Sequence, residues 1–363
     1  MKEYIILQTV APDYRAKLYS YIKKEFGDKF AVYAGLEYFE TTVKTDTGIS
    51  GFKEIKNYFL FKRSFLIQGG MWQDVLKCHV LVMEMNPRII SNWIVLIIRK
   101  IFKKKTILWG HAWPRSGSHS KSDKLRKIMR YMGDSIIVYT KSQKQELVSA
   151  EPHLKVNYAP NALYFKNEMN VNLIEKQGIN NLIYVGRLTS SKKPKLLLEA
   201  FFKALPDLNK SVNLIFVGDG EEKKSLEQYI IDHKLEDRVI LTGHISDYKR
   251  LSDYYSKSLF SVSPGYIGLS VTQSFGFGVP MLVSKNENHS PEIEAIIENE
   301  NALYFETDNL EDFKDKILSI YKEKECWIDK RYQISETCKE NYSIGSMGDT
   351  FIKLFHENKN EYK

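Results

Sequence analysis

The chain has 363 residues, which is too long for one ordinary hydrophobic core and predicts about two domains. Its 43% hydrophobic and 27% charged residues are typical of globular proteins and exclude a largely disordered chain. Three cysteines without C-x-x-C spacing exclude a disulfide framework, and no apolar run approaches the ~20 residues of a transmembrane helix. Because the N-terminus has no signal-peptide pattern, we expect a cytoplasmic protein.

Short apolar runs alternate with amphipathic stretches in the first half of the chain. The runs that predict strands are Tyr4–Val10, Phe30–Ala34, Val80–Met83, Thr106–Trp109 and Ser135–Tyr139. The stretches that predict helices are Tyr14–Phe26, Ile89–Phe102 and Lys121–Met132. This alternation predicts a parallel sheet covered by helices on both faces.

A second alternating series follows a polar stretch without periodicity. Its predicted strands are Asn181–Val185, Val212–Val217, Val239–Thr242, Leu259–Val262 and Met281–Val283. Its predicted helices are Lys195–Ala204, Glu222–His233, Tyr248–Lys257, Ser270–Phe277 and, at the end of the chain, Met347–His356. The sequence therefore predicts an α/β protein in which a doubly wound plan is used twice.

We place the domain boundaries where the pattern breaks. The predicted parts are an N-terminal Rossmann-like domain over 1–165, a linker over 166–180, a C-terminal Rossmann-like domain over 181–340, and a C-terminal helix over 341–363 that packs back on the N-terminal domain.

The basic charge is confined to the first half. Residues 1–165 hold 27 Lys and Arg against 14 Asp and Glu, whereas the remainder holds 26 against 31. The excess is densest between Arg99 and Arg130, where 11 basic residues accompany one acid, Asp123. Such a field attracts nucleic acid, an anionic membrane or a pyrophosphate-bearing substrate. Nucleic acid is disfavoured, because no helix-turn-helix, RNP or zinc-finger pattern is present and the basic residues are not interleaved with aromatics.

A first candidate for phosphate binding follows the strand Asn181–Val185. Gly186 lets the backbone approach a ligand, and Arg187 and Lys192 supply cations in the loop that leads to the next helix. Ligands of doubly wound sheets bind at the carboxyl ends of the strands, where this loop lies. A surface loop with a glycine and two basic residues is the structural alternative.

A second candidate is the loop after Leu259–Val262. Gly268 lies just before Leu269 and Ser270, where a helix is predicted to begin, and free N–H groups at such a helix start bind phosphate. The helix is predicted to end at Gly278 and Pro280. By itself this pattern indicates a phosphate site of unspecified kind.

Together these motifs resemble family 4 of the retaining GT-B glycosyltransferases, the group 1 type that builds bacterial surface polysaccharides. The family's Gly-Arg-Leu-x-x-x-Lys element matches 186–192, and its terminal Gly-Leu and Gly-Val-Pro elements match 268–269 and 278–280. The resemblance covers nearly all of 181–305 and is looser before it. It implies the GT-B fold, with two Rossmann-like domains facing across a cleft.

The chain departs from that family at its Glu-x7-Glu pair, which reads Gly265 and Gln273 here. The resemblance implies that the second position binds the donor ribose, and the Gln273 carbonyl can still accept such hydrogen bonds. Glu292 is a candidate to supply a carboxylate from another direction. Its alternative role is to cap or solvate a helix start.

Candidate residues also follow two strands of the N-terminal half. His111 comes after Thr106–Trp109, and the resemblance implies that it faces the donor sugar. Tyr14 and Arg15 follow the first strand, where Arg15 would hold an acceptor phosphate or hydroxyl. Surface polarity at a helix start is the alternative for Tyr14 and Arg15, and a structural role is the alternative for His111. The histidines show no metal-ligand spacing, so no bound metal and no cofactor are expected.

The resemblance implies a hexosyltransferase that uses a UDP- or GDP-sugar as donor without a metal. Its expected acceptor is a glycan or a polyprenyl-diphosphate-linked glycan of O-antigen lipopolysaccharide, capsule or exopolysaccharide synthesis, with retention of configuration. The alternatives are another GT-B enzyme, either an inverting transferase or a nucleotide-sugar epimerase, and a catalytically inactive sugar-nucleotide-binding protein.

The segment 93–105 mixes bulky apolar residues with lysine and arginine. It fits an amphipathic contact with an anionic membrane, and it equally fits a core helix with a solvated basic end. The charge of the first half favours the membrane, so we expect a peripheral protein on the inner face of the plasma membrane.

Overall fold

The computed structural model describes residues 2–40, 43–114, 117, 120–172 and 175–359. The chain divides into two compact units: unit 1 holds residues 1–163 and 344–363, and unit 2 holds residues 164–343. Arg115 and the Lys121 side chain of the basic segment, residues 173 and 174 of the predicted linker, and the last four residues lie outside the described part.

Unit 1 is built on a parallel sheet. Its strands are β1 (Tyr4–Val10), β2 (Phe30–Gly35), β3 (Phe52–Glu54), β4 (Lys56–Leu60), β5 (Phe65–Gly69), β6 (Val80–Glu84), β7 (Lys105–Trp109), β8 (Ser135–Val138) and β9 (Val156–Tyr158). Its first helices are α1 (Ala16–Phe26), α2 (Trp72–Lys77), α3 (Ile90–Ile101), α4 (Lys121–Met132) and α5 (Lys141–Ala150). Seven strands form the sheet in the order β3-β2-β1-β6-β7-β8-β9, while β4 and β5 form a separate antiparallel pair.

The central strand β1 has the burial expected in a parallel sheet that is covered by helices on both faces. All seven of its residues are buried, which is the pattern of a strand with helices on both faces. On one face, Val95 and Leu96 of α3 share a core with Ile5 and Leu81 of the sheet.

Unit 2 repeats the plan. Its strands are β10 (Asn181–Val185), β11 (Leu214–Val217), β12 (Val239–Gly243), β13 (Ser258–Ser263), β14 (Met281–Ser284) and β15 (Ala302–Phe305). Its helices are α6 (Pro194–Ala204), α7 (Lys223–Asp232), α8 (Tyr248–Ser256), α9 (Ser270–Gly276), α10 (Leu310–Lys322), α11 (Lys324–Asp329) and α12 (Arg331–Tyr342). The strands are parallel in the order β12-β11-β10-β13-β14-β15. The order reverses between β10 and β13, which is where such sheets bind ligands.

The chain then returns to unit 1 with the helix α13 (Ile344–Lys359). Phe355 packs against Tyr4, with ring centroids 5.2 Å apart. The Tyr21 hydroxyl of α1 donates a hydrogen bond to Asp349 at 2.8 Å. These contacts make the end of the chain part of the first unit's core.

The two sheets confirm the predicted doubly wound plan, used once in each unit. Among the described residues, no helix combines the length and the apolar character needed to cross a membrane.

Candidate functional site

The switch point of unit 2 brings two loops into contact. Gly186 and Arg187 directly follow β10, and residues 264–269 directly follow β13. The Tyr266 amide donates a hydrogen bond to the Ser191 carbonyl at 3.1 Å. The Lys192 ammonium lies 4.6 Å from the centroid of the Tyr266 ring. The two loops singled out in the sequence therefore lie side by side at the carboxyl edge of the sheet.

Lys192 is held in a setting that disfavours its charge. Burial of the side chain and the positive charge of Arg187 lower its pKa to about 8, and only the carboxylate of Glu292 acts in the opposite direction. Arg187 is exposed, with its own carbonyl fixed by the Tyr184 hydroxyl at 2.7 Å. Two cations with one nearby carboxylate gain stability when an anion binds between them.

Gly265 has no room for a side chain. A Cβ atom there would lie 2.5 Å from the Ser191 carbonyl oxygen and 2.9 Å from the carbonyl carbon of Lys192. The place of the family's first glutamate is therefore occupied by the backbone of the Arg187–Lys192 loop.

Glu292 approaches the same loops from the segment after β14. It lies on the short 3-10 turn Pro291–Ala295 and is buried. The preceding Ser290 donates its amide to the Ile267 carbonyl at 3.0 Å, and the Ile267 amide donates to the His289 ring nitrogen Nδ1 at 3.3 Å. These bonds fasten the Glu292 segment to the loop after β13, which places its carboxylate within electrostatic range of Lys192.

Helix α9 begins beside Gly268. Leu269 precedes the helix and Ser270 is its first residue, and the first N–H groups of a helix lack acceptors within it. A Cβ at Gly268 would lie 3.6 Å from the Ser290 hydroxyl, which is an ordinary van der Waals contact. These backbone donors follow the loop that contacts Ser191 and Lys192 through Tyr266.

Gln273, one turn into α9, is hydrogen-bonded to two tyrosines. Its amide nitrogen donates to the Tyr164 hydroxyl at 2.7 Å, and its carbonyl oxygen accepts from the Tyr255 hydroxyl at 3.4 Å. The second lone pair of that oxygen can still accept a ribose hydroxyl. The side chain is thus held in a fixed orientation for such a contact.

Unit 1 assembles a second cluster at the carboxyl ends of β1, β7 and β8. The Arg15 guanidinium lies 4.1 Å from the Trp109 ring and donates to the Tyr139 hydroxyl at 3.4 Å. The exposed His111 ring lies 4.7 Å from the same Tyr139 ring, measured between centroids. The exposed Tyr14 ring is 5.7 Å from the Arg15 guanidinium. Arg15, His111 and Tyr14 therefore meet around Tyr139.

Both clusters contain residues that were not predicted from the sequence. Tyr139 was treated only as the end of a strand, and Tyr266 only as part of a loop. Glu84 ends β6 at the switch point of unit 1, where its carboxylate accepts hydrogen bonds from the Thr9 amide at 3.1 Å and the Thr9 hydroxyl at 2.7 Å. Its position directly after the predicted strand Val80–Met83 was a usable signal, since polar residues at strand ends face the ligand edge.

Comparison with known proteins agrees with this geometry. Residues 166–341 match the family described as glycosyl transferases group 1. The chain is 28% identical over 206 residues to the amylovoran biosynthesis glycosyltransferase AmsD of Erwinia amylovora, a match that covers 54% of this chain and 52% of AmsD. A second match, 31% identical over 168 residues, is an uncharacterised glycosyltransferase of Methanocaldococcus jannaschii, of which 41% is covered. The chain thus spans about half the length of the curated relatives it matches.

Solved structures resemble the whole chain. Anabaena HepE in complex with UDP superposes with a TM-score of 0.71 at 14% identity, covering 98% of this chain and 100% of HepE. The lipopolysaccharide outer core galactosyltransferase WaaB superposes with a TM-score of 0.65 at 15% identity, covering 98% of this chain and 100% of WaaB. At these identities the likeness shows the fold alone, and it confirms the predicted GT-B fold.

Proposed function

The chain belongs to the glycosyl transferases group 1 family through residues 166–341, and from this premise we propose that it transfers a sugar from a nucleotide diphosphate donor to an acceptor. One observation carries the proposal: at the switch point of unit 2, Arg187 and Lys192 lie in a loop that is hydrogen-bonded to the loop after β13. Unit 2 would bind the donor, and unit 1 the acceptor.

The geometry fits stabilisation of a leaving diphosphate. Transfer breaks the bond between the anomeric carbon and the diphosphate oxygen, forms a bond from that carbon to the acceptor oxygen, and passes the acceptor proton to the leaving phosphate. Negative charge grows on that phosphate as the bond breaks. Arg187, Lys192 and the backbone N–H groups at Leu269 and Ser270 would stabilise it, and preorganised electrostatic stabilisation of this kind is usually the largest contribution to lowering a barrier.

Finer features of the reaction follow from the relatives and the resemblance. We propose a hexose donated by UDP or GDP, transfer with retention, and a glycan or polyprenyl-diphosphate-linked acceptor. AmsD is named for amylovoran biosynthesis and WaaB for the lipopolysaccharide outer core, which supports a surface polysaccharide as the product. A cytoplasmic protein on the inner face of the plasma membrane suits such an acceptor.

His111 and Arg15 are the proposed contacts of unit 1. The Arg15 guanidinium, stacked on Trp109, would bind an acceptor phosphate or hydroxyl, and His111 would face the donor sugar. Tyr139 touches both side chains and would hold them in place.

A second candidate is a sugar-nucleotide-binding protein without catalysis. The filled space at Gly265 favours it, because the carboxylate that the family places there cannot be accommodated. Transfer or donor hydrolysis by the purified protein decides between the two, and the stereochemistry of the product by NMR separates a retaining from an inverting enzyme.

Replacing Arg187 with alanine tests the donor site. A hydrogen bond to a charged group contributes about 1.5–3 kcal/mol, so we expect Arg187→Ala to bind UDP or GDP about ten- to a hundredfold more weakly by calorimetry. Arg250→Ala removes an exposed arginine of α8 in the same unit and is the matched control, expected to bind normally. Equal affinities for the two variants would place the diphosphate elsewhere.

A further inference from the structure

Helix α3 presents apolar residues on two opposite sides. On its inner side Val95 and Leu96 are buried, and Arg99 is also fully buried, donating hydrogen bonds to the carbonyls of Val75 and Lys105, both at 2.6 Å. Arg99 therefore stabilises the interior and does not belong to a basic surface. The inner side of α3 thus packs as the core-helix alternative in the sequence analysis predicts.

The outer side of α3 is apolar and unburied. Ile94, Ile97 and Ile101 recur at helical spacing with 43%, 49% and 69% of each side chain exposed, and Phe102 follows at 70%. Solvated helix faces of globular proteins are normally polar, so this side differs from a core helix with a solvated basic end.

Helix α4 continues the same kind of surface. Leu125, Ile128 and Tyr131 are exposed at 54%, 53% and 43%. The two helices are joined where the Lys100 ammonium donates to the Tyr131 carbonyl at 3.0 Å. We name the exposed residues of these two helices, together with Phe102, the α3–α4 surface. Only its first helix was predicted from the sequence as a membrane contact.

Positive charge accompanies the exposed apolar side chains. Lys100 and Lys103 lie at the end of α3, and Lys124 and Lys127 are exposed on α4. The one acid between 99 and 130 is Asp123, which is buried and bonded to Arg130 at 2.9 Å. The α3–α4 surface therefore combines apolar bulk with net positive charge.

We propose that the α3–α4 surface docks on an anionic lipid bilayer, with its isoleucines and Phe102 entering the interface and its lysines contacting acidic headgroups. Contiguous exposed apolar patches mark interaction sites, and lysine combined with bulky apolar residues is the composition of bilayer-surface helices. A second copy of this chain is a poorer occupant, because its own lysines would meet these lysines. An anionic bilayer complements both the charge and the apolar character.

This inference deepens the proposed membrane location by naming the surface responsible, but it does not depend on the donor site. The surface lies wholly in unit 1, whereas Arg187 and Lys192 lie in unit 2. Lipid binding can therefore be measured without donor or acceptor, and transfer to a soluble acceptor can be measured without lipid.

Vesicle sedimentation of the full chain tests the proposal. We expect the protein to sediment with vesicles containing phosphatidylglycerol, to stay in solution with pure phosphatidylcholine, and to be released by salt, since screening weakens headgroup contacts. The double variant Ile101→Ser/Phe102→Ser should lose most of this binding. Its control is Ile231→Ser, a 58% exposed isoleucine of α7 in unit 2.

A second pair of variants isolates the charge. Lys124→Glu/Lys127→Glu should lower partitioning into anionic vesicles by at least about tenfold. Lys249→Glu, an exposed lysine of α8, should leave it unchanged. Circular dichroism confirms that each variant folds.

Three results would overturn the proposal. The first is sedimentation that is the same for the wild type and both double variants. The second is absence of binding to any vesicle. The third is a dimer of the wild type that Ile101→Ser/Phe102→Ser dissociates without any effect of lipid, which would show that a second copy covers the surface. Loss of vesicle binding with intact donor turnover would support it independently of the transfer reaction.

Discussion

The affinity for a nucleoside diphosphate should depend on pH through Lys192. In the ligand-free protein its pKa is about 8, because burial and the nearby Arg187 charge disfavour the ammonium. A bound diphosphate favours the charged form and raises this pKa. Below pH 8 the lysine is already protonated and binding needs no proton. Above pH 8 binding must be accompanied by proton uptake, so affinity should fall as pH rises.

The size of the effect follows from the same values. Affinity can fall at most tenfold for each pH unit above 8. If the diphosphate restores the ordinary lysine value of 10.5, the total loss is about 300-fold, or about 3 kcal/mol. The neighbouring His289 adds nothing to this range, because burial lowers its pKa from the ordinary 6.5 and it stays neutral. The phosphate of the ligand titrates near pH 6 and is also constant there.

Calorimetric titration of UDP and GDP between about pH 7 and pH 10 measures the profile, and buffers of different ionisation enthalpy report the proton taken up. Lys192→Arg is the control, since a guanidinium stays charged throughout and its profile should be flat. Lys192→Gln should bind weakly with no pH dependence. A flat profile for the wild type would mean that Lys192 does not contact the diphosphate.

Two further predictions concern unit 2. Glu292→Gln removes the carboxylate that raises the pKa of Lys192, so the pH above which UDP affinity declines should move below 8, and an unshifted profile would separate Glu292 from this site. Arg331→Met should lower the free energy of unfolding in urea by at least about 3 kcal/mol, because the buried guanidinium donates to several main-chain carbonyls, including that of Tyr255 at 3.0 Å. Tyr332→Ser, at an exposed position of the same helix, is its control, and a loss as small as the control's would contradict this role.

The regular core of both sheets was predictable from sequence. Tyr4–Val10 and Asn181–Val185 were predicted with the bounds that β1 and β10 have, because central parallel strands are continuous apolar runs. The strands β3, β4, β5, β9 and β15 were missed. Their residues are mostly exposed or half-buried, so the apolar run that marks a central strand is weak there. The helices α2, α5, α10, α11 and α12 were also absent from the prediction.

The candidate sites were predictable only where a residue follows a predicted strand. Arg187, His111 and Arg15 were found in this way. Tyr139 follows β8 and Glu84 ends β6, so the strand-end position was a usable signal for both, although neither residue belongs to a recognised motif. The contact of Tyr266 with Ser191 joins residues far apart in the chain, and spacing alone does not reveal such a pairing.

The substitutions at Gly265 and Gln273 have one electrostatic consequence. A glutamate at either position would add a negative charge to the segment after β13, which contacts the loop of the cations that are proposed to hold the diphosphate. At position 265 a side chain is excluded by the backbone of the neighbouring loop, and at 273 a neutral amide is held by Tyr164 and Tyr255. Burial and the Arg187 charge lower the pKa of Lys192, and the carboxylate of Glu292 acts against them. If the balance of charges at Lys192 governs donor binding, Gln273→Glu should raise the pH above which UDP affinity declines. This result requires that the hydroxyls of Tyr164 and Tyr255 hold the new carboxylate in the place of the amide.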